Sequence, residues 1–230
     1  MPIWIPEVKK PGCKGCKSDL IPIVQACLNS VRRHTKVPYE LILIDNGSVH
    51  FPWKGDVRVV NPKNLGFAPA CNQGFKLARG EYIACMNDDI IVGENWAENM
   101  IEAIEGDIGI VMPALMTHKP PKGITKEAEI KKVQDASKMG VRYFPVNDGW
   151  GSLWMTKKEY LDKIGLFDEK FEMGMYEDKD MWRRYWNAGL KTARTHKTWV
   201  YHVGNATWGK LPNAKELFYK NKDYYEDKWK

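Results

Sequence analysis

Residues 81–92 read Glu-Tyr-Ile-Ala-Cys-Met-Asn-Asp-Asp-Ile-Ile-Val. The run Tyr82–Met86 is apolar and stops abruptly at Asn87-Asp88-Asp89. An apolar run of this length between polar neighbours suits a strand buried on both faces. In open α/β sheets, ligands gather just beyond the carboxyl ends of such strands. Two adjacent carboxylates there repel each other unless a positive group sits between them. A hard divalent cation, Mg²⁺ or Mn²⁺, takes oxygen ligands and meets that need. The competing account is a strand end followed by a solvated turn, since Asn and Asp are ordinary turn residues.

Upstream, Ile3-Trp4-Ile5 reads as a short first strand closed by Pro6, and Glu7–Lys17 as a loop. Ser18 or Asp19 caps a helix over Leu20–His34, with Ile21, Val24, Leu28 and Val31 on one face. Tyr39–Ile44 is a strand ending in the turn Asp45-Asn46-Gly47-Ser48, and Val57–Val60 is another strand. Asn64–Ala68 leads into a helix to about Ala78, stopped by Arg79-Gly80.

Downstream, Trp96–Ile104 is an amphipathic helix and Ile108–Leu115 a strand. Strands alternating with helices predict an α/β fold with a largely parallel sheet covered on both faces. Thr117–Asn147 is Lys-rich, with Pro120-Pro121 and a helix-compatible stretch at Lys126–Ser137. It reads either as a lid on the acceptor side or as a solvated insertion. Trp150–Met155 then reads as a strand, Lys157–Ile164 and Tyr176–Ala188 as helices, and Thr198–His202 as a last strand. Asn213–Lys230 is aromatic and basic, and reads as a packed helix.

The chain has 230 residues, 43% of them hydrophobic, enough for one large or two small domains. No apolar stretch approaches the ~18 residues of a membrane span, and the N-terminus lacks a signal-peptide pattern. The expectation is a cytoplasmic protein with no transmembrane segment. Lys and Arg total 35 against 29 acids, a net +6 that suits nucleotide diphosphates, acidic polymers or nucleic acid without singling one out. Ten Trp offer stacking platforms for sugars or bases as well as core material. Cys13 and Cys16 form a lone CxxC with no second pair, so zinc is weakly supported. A redox dithiol and a plain surface loop with two reduced thiols both remain open. Cys27, Cys71 and Cys85 lie in apolar patterns and read as small core residues.

Three further places carry chemistry. Glu177-Asp178-Lys179-Asp180 opens a helix, where the dipole favours acids and Asp180 can pair with Arg184 one turn on. The functional alternative is that one of these carboxylates faces a cleft as a general base. His202 ends a strand and is either a neutral-nitrogen metal ligand or a satisfied structural residue. Asp45, also at a strand end, either accepts hydrogen bonds from a base edge or ribose or is a simple turn residue.

The chain resembles the inverting family-two glycosyltransferases of the GT-A fold. The matching pieces fall in order over most of its length: Leu28–Thr35, Leu41–Ser48, Asn64–Gly74, Ala78–Asp89, Gly165–Phe171, Tyr176–Arg184 and Tyr201–Gly204. The closing Asn221 and Lys228-Trp229 also resemble tails of that family.

The resemblance implies a nucleotide-diphosphate sugar donor (UDP-, dTDP- or GDP-linked) and Mn²⁺ or Mg²⁺. It implies one GT-A domain over 1–230: a nucleotide-binding half at 1–115, an acceptor half at 116–205 and a helical tail at 206–230. Asp89 and His202 would hold the metal. Asp178 would be the catalytic base, with Glu177 beside it. Pro6, Asp45, Asn64, Gly66 and Asn72 would border the nucleotide-sugar pocket, with Asn87 near the ribose and Asp88 a supporting acid. Gly151 would border the donor sugar, and Trp150 and Trp182 would stack on sugar rings or fill the core.

Two departures alter the nucleotide end of the pocket. Pro6-Glu7 and a Lys/Cys/Gly loop replace the usual Pro-x-x-Asn turn, and Val49-His50 replaces the usual Thr-Asp. The acceptor is expected to be a glycan, a lipid-linked sugar or a protein. Two alternatives stay open: a nucleic-acid acceptor such as a hydroxylated base, motivated by Lys119–Lys138, and a non-catalytic domain that only binds nucleotide sugars.

Overall fold

A computed structural model describes residues 1–3, 17–118, 140–143, 149, 151–204, 211 and 213–230. Among these the chain runs β1 (Pro2–Ile3), α1 (Lys17–His34), β2 (Ile42–Asn46), β3 (Val57–Asn61), α2 (Phe67–Leu77), β4 (Tyr82–Met86) and β5 (Ile90–Val92). It continues with α3 (Trp96–Glu102), β6 (Ile108–His118), β7 (Val141–Tyr143), β8 (Leu153–Lys157), α4 (Lys158–Ile164), α5 (Glu177–Asn187), β9 (Lys191–His202) and α6 (Ala214–Lys228).

The apolar run Tyr82–Met86 is a strand, as its pattern predicts. It belongs to a six-stranded sheet ordered β4-β8-β6-β9-β5, with β7 also on β9. Alternation along each strand fills two cores. Ile83 and Cys85 of β4, Ile110 and Met112 of β6 and Trp154 of β8 meet α2, α4 and α5. Met86, Val111, Leu153 and Met155 point the other way, to α1 and α3. The sheet is therefore covered by helices on both faces. A smaller parallel sheet, β1-β2-β3, packs Ile3 and Leu43 against Leu20, Val24 and Leu28 of α1.

The α/β expectation holds, but the larger sheet is mixed rather than mainly parallel. β8 runs antiparallel to both β4 and β6, and β9 antiparallel to β5 and β7; only β6–β9 is parallel there. Several boundaries also shift. β2 starts at Ile42, because Leu41 N–H and carbonyl are taken up by Asp56 at the turn. α1 begins at Lys17, so Ser18 and Asp19 lie within its first turn rather than ahead of it. β9 is much longer than Thr198–His202. Its first half, Lys191–Lys197, looks polar, yet Thr192, Thr195 and Thr198 are fully buried with β6 alongside.

Cys27, Cys71 and Cys85 are buried free thiols, as their patterns predict. Cys13, Cys16 and the Lys126–Ser137 stretch lie outside the described residues. Among the described residues, no helix is long and apolar enough to cross a membrane.

Candidate active site

The site begins with a register. β5 follows Asp89 directly and pairs antiparallel with β9, opposing Ile90 to His202. This brings two residues more than a hundred positions apart into contact. His202 Nε2 lies 3.2 Å from Asp89 Oδ1. Gly204 N–H donates to Asp89 Oδ2 at 3.1 Å, and Val203 N–H to the Asp89 carbonyl at 3.1 Å.

The donor set fits a hard divalent ion. Ligands bound at about 2.1 Å and at right angles stand about 3 Å apart, close to the observed spacing. Asn87 Oδ1 is buried nearby in sequence with no hydrogen-bond partner. Among the described residues, no group of three or more His, Cys, Asp or Glu is gathered for a metal. Among the described residues this contact presents two donors; an ion held there would take its other ligands from water or ligand oxygens, the habit of Mg²⁺ in phosphate sites. Asp88 is buried, and burial with the charge of Asp89 beside it pushes its pKa up to about 8. Its neutral form at pH 7 eases the repulsion between the two adjacent acids.

A second pair of acids opens α5. Glu177 is buried and Asp178 half-buried. Burial, and secondarily the Asp178 charge, holds the Glu177 carboxyl well above the usual carboxylate range. Glu177 Oε2 has no hydrogen-bond partner. Burial also raises Asp178, against the Lys179 and Gly151 N–H groups and the Lys179 charge, which favour its ionised form. Asp178 Oδ1 accepts the Lys179 N–H at 2.8 Å. A Cβ at Gly151 would stand 2.7 Å from Asp178 Oδ2, so only glycine admits this approach.

Gly151 links the two acid pairs. The carbonyl of the next residue, Ser152, accepts the Asn87 N–H at 2.8 Å. Asp178, Gly151, Asn87, Asp89 and His202 thus form one continuous run of contacts and chain at the end of β4.

The segment before Glu177 is strained. Met173, Met175 and Tyr176 have φ of 59°, 73° and 74°, and Gly174 has 137°. Left-handed backbone at a residue other than glycine costs about 1–3 kcal/mol and persists only where the surroundings over-determine it. Phe67 N–H donates to the Met173 carbonyl at 3.2 Å, which joins this segment to the start of α2.

Asp45 ends β2 buried and doubly engaged. Ser48 N–H donates to Oδ1 at 2.9 Å, and Arg58 Nη2 lies 3.1 Å from Oδ2. Arg58 also stacks over Phe51 at 4.5 Å. The sequence reading missed Arg58; its only signal was a charge between Val57 and Val59 on a strand.

Asn46 was read only as a turn residue. Its Nδ2 donates to Asn64 Oδ1 at 2.9 Å and to the Gly66 carbonyl at 3.1 Å, and its Oδ1 accepts from Asn61 and Leu65. Asn64 Oδ1 in turn accepts the Gly66 N–H at 2.9 Å. Asn64 and Gly66 therefore form a locked loop at the N-terminus of α2.

Asn72, expected to border the nucleotide-sugar pocket, has other partners. Its Nδ2 donates to the Phe167 carbonyl at 2.9 Å and Glu169 Oε1 at 2.8 Å, and its Oδ1 accepts the Phe167 N–H at 3.0 Å. Both ends of this buried amide are thus engaged with the 167–169 segment. Trp182 is fully buried in the core, where Gly149 packs directly on its indole, so it offers no stacking face. Pro6 and Trp150 lie outside the described residues.

Comparison with known proteins places the fold among solved structures. Structures of similar fold include GalNAc-T7 with UDP, GalNAc and Mn²⁺ (TM-score 0.64, 18% identity, covering 88% of this chain and 47% of that one). Another is the mannosyltransferase PcManGT from Pyrobaculum calidifontis with GDP-Man and Mn²⁺ (TM-score 0.58, 14% identity, 89% and 66%). The fold is thus that of the GT-A glycosyltransferases. Residues 21–165 match the profile of Glycosyl transferase family 2, and the chain belongs to that family.

Relatives include the hyaluronan synthase of Pasteurella multocida, 24% identical over 80% of this chain and 23% of that protein. The uncharacterized glycosyltransferase YwdF of Bacillus subtilis is 29% identical over 71% of this chain and 63% of its own length. The chain thus spans less than two thirds of these relatives.

Proposed function

We propose that this glycosyltransferase moves a sugar from a nucleotide-diphosphate donor to an acceptor hydroxyl, with a divalent cation and inversion at the anomeric carbon. The observation that carries it is the 3.2 Å meeting of Asp89 and His202, with Asp178 reached through Gly151 on the same wall. Mn²⁺ in two glycosyltransferases of similar fold supports the same reading. Asp89 and His202 would hold the ion, which supplies charge neutralisation for a diphosphate leaving group without proton transfer. Asp45 accepts from the base of the nucleotide, and the locked Asn64–Gly66 loop supports the pocket beside it. Pro6 and Asn87 belong to the same pocket.

Asp178 takes the proton of the acceptor hydroxyl as its oxygen forms the new bond to the anomeric carbon. The bond from that carbon to the diphosphate oxygen breaks, and its electron pair leaves with the nucleotide. Attack opposite the leaving group inverts the centre. Glu177, whose carboxyl burial holds above the ordinary carboxylate range, orients the acceptor or Asp178. The whole chain, 1–230, serves as one domain, with 1–115 facing the nucleotide and 116–205 the acceptor.

The acceptor in this proposal is a glycan, a lipid-linked sugar or a protein; Lys119–Lys138, the motive for a nucleic-acid acceptor, lies outside the described residues. The test is donor turnover by Asp178→Ala. Transfer is expected to fall by at least about 10²-fold while donor binding changes by less than about threefold. Near-normal transfer would remove Asp178 from the base role.

A further inference from the structure

We propose that Asn221, on the C-terminal helix α6, is a positioning residue that holds the strained segment 172–176 and thereby sets Asp178; the proposal rests on Asp178 being the base. α6 is mostly exposed, and its buried residues are Leu217 and Asn221, one turn apart. A buried amide is costly unless its donors and acceptor are all engaged. Asn221 is 1% exposed and all are engaged, each with backbone of the strained segment. Nδ2 donates to the Glu172 carbonyl at 2.9 Å and to the Gly174 carbonyl at 2.6 Å. Oδ1 accepts the Glu172 N–H at 3.2 Å.

What Asn221 holds explains why the contact matters. Met173, Met175 and Tyr176 are left-handed without being glycine, and Tyr176 directly precedes Glu177 and Asp178. Such backbone reverts to ordinary φ unless it is fixed from several sides. On its other side the segment abuts Gly66, where a Cβ would stand 3.1 Å from Met173 Cα, and accepts the Phe67 N–H. Asn221 holds its backbone from the α6 side, where Lys220 also pairs with the Glu172 side chain at 2.6 Å and the Tyr176 ring packs on Phe218 and Tyr225.

α6 has anchors apart from Asn221. Trp229 Nε1 donates to Asp180 at 2.9 Å, Lys228 pairs with Asp180 and Asp168 at 2.7 Å each, and Tyr224 OH donates to Asp168 at 2.8 Å. Loss of Asn221 therefore removes the hydrogen bonds from α6 to the segment's backbone while the helix stays docked.

The test compares Asn221→Ala and Asn221→Asp with Leu217→Ala. The Asp variant is isosteric; it keeps the acceptor for Glu172 N–H and loses both donors. In both Asn221 variants, amide exchange at residues 173–178 is expected to speed up by about tenfold or more. In the same variants kcat is expected to fall by at least about tenfold, with donor KM and nucleotide binding within about twofold of wild type. Leu217→Ala lowers Tm but leaves that exchange and kcat within about twofold. Should the alanine variant fail to fold, the Asp variant carries the test alone.

Wild-type exchange and turnover in the Asn221 variants, or both losses in Leu217→Ala, would overturn the proposal. Exchange is read without substrate, so the clamp and the base are judged separately. Asp178→Asn with retained turnover would overturn the base assignment, while fast exchange in the Asn221 variants would still report the clamp.

Discussion

Glu177 and Asp178 stand in the first turn of α5, where the helix dipole favours their charge and burial opposes it. Burial prevails at both, with consequences for stability and for activity. The folded Glu177 holds its proton at pH values where the unfolded chain has lost it. Its burial therefore costs nothing below the ordinary Glu value, about pH 4.3, and costs progressively more as pH rises toward the folded value. Glu177→Gln removes that cost, so its Tm should match wild type near pH 4 and exceed it at pH 7–8. Each kcal/mol relieved should add about 2–4 °C in a chain of this size, and differential scanning calorimetry across pH checks it. An equal Tm gap at every pH would mean that Glu177 carries no such shift. For activity, a base must be ionised, and Asp178 is raised. The acid limb of kcat/KM should rise with pH through a midpoint above the ordinary Asp value of about 3.9. A midpoint at or below that value would place the base elsewhere.

Elements explain how distant residues meet. The Asp89–His202 contact follows from the β5–β9 register alone, since Ile90 opposes His202. A one-residue slip would turn His202 to the opposite face. α5 is fixed in its first turn by Asp180, which is fully buried between Arg184 Nε at 2.9 Å, Lys228 and Trp229. Arg184 extends the anchor to the Ile164, Gly165 and Leu166 carbonyls. Asp180→Ala takes the buried carboxylate away from Arg184, Lys228 and Trp229 and should cost about 3–5 kcal/mol, measured by urea unfolding. A loss under about 1 kcal/mol would show that the network is relaxed by water.

Some elements were legible and others were not. Tyr82–Met86 was readable because five apolar residues stop at three polar ones, and α5 because Gly189 ends it. β5 was not, because three residues after an acidic turn carry too little pattern. The first half of β9 was hidden because its core side is threonine rather than aliphatic.

At the scale of the molecule, the larger sheet gathers the ends of β4 and β9 with the starts of β8 and α5. Asp89, His202, Asp178 and Gly151 were all legible in advance, because strand ends and helix starts are where α/β folds present side chains. Asn46, Arg58 and Asn221 were not legible as working residues, because their partners are set by tertiary contacts that local pattern does not encode. Asn72 was assigned a ligand for the same reason, although its partners are Phe167 and Glu169. If the site is metal-dependent, chelation by EDTA should abolish transfer and added Mn²⁺ or Mg²⁺ restore it; transfer undiminished in EDTA would contradict this. The most direct measurement is the thermal shift given by Mn²⁺ together with a nucleoside diphosphate, screened across UDP, dTDP and GDP. A ligand that binds the native state at 100 times its Kd adds about 2.7 kcal/mol of stability, several degrees in Tm. The wild type and Asp178→Asn should both show that shift with the matching nucleotide, and Asp89→Ala should lose it. An undiminished shift in Asp89→Ala would contradict the account.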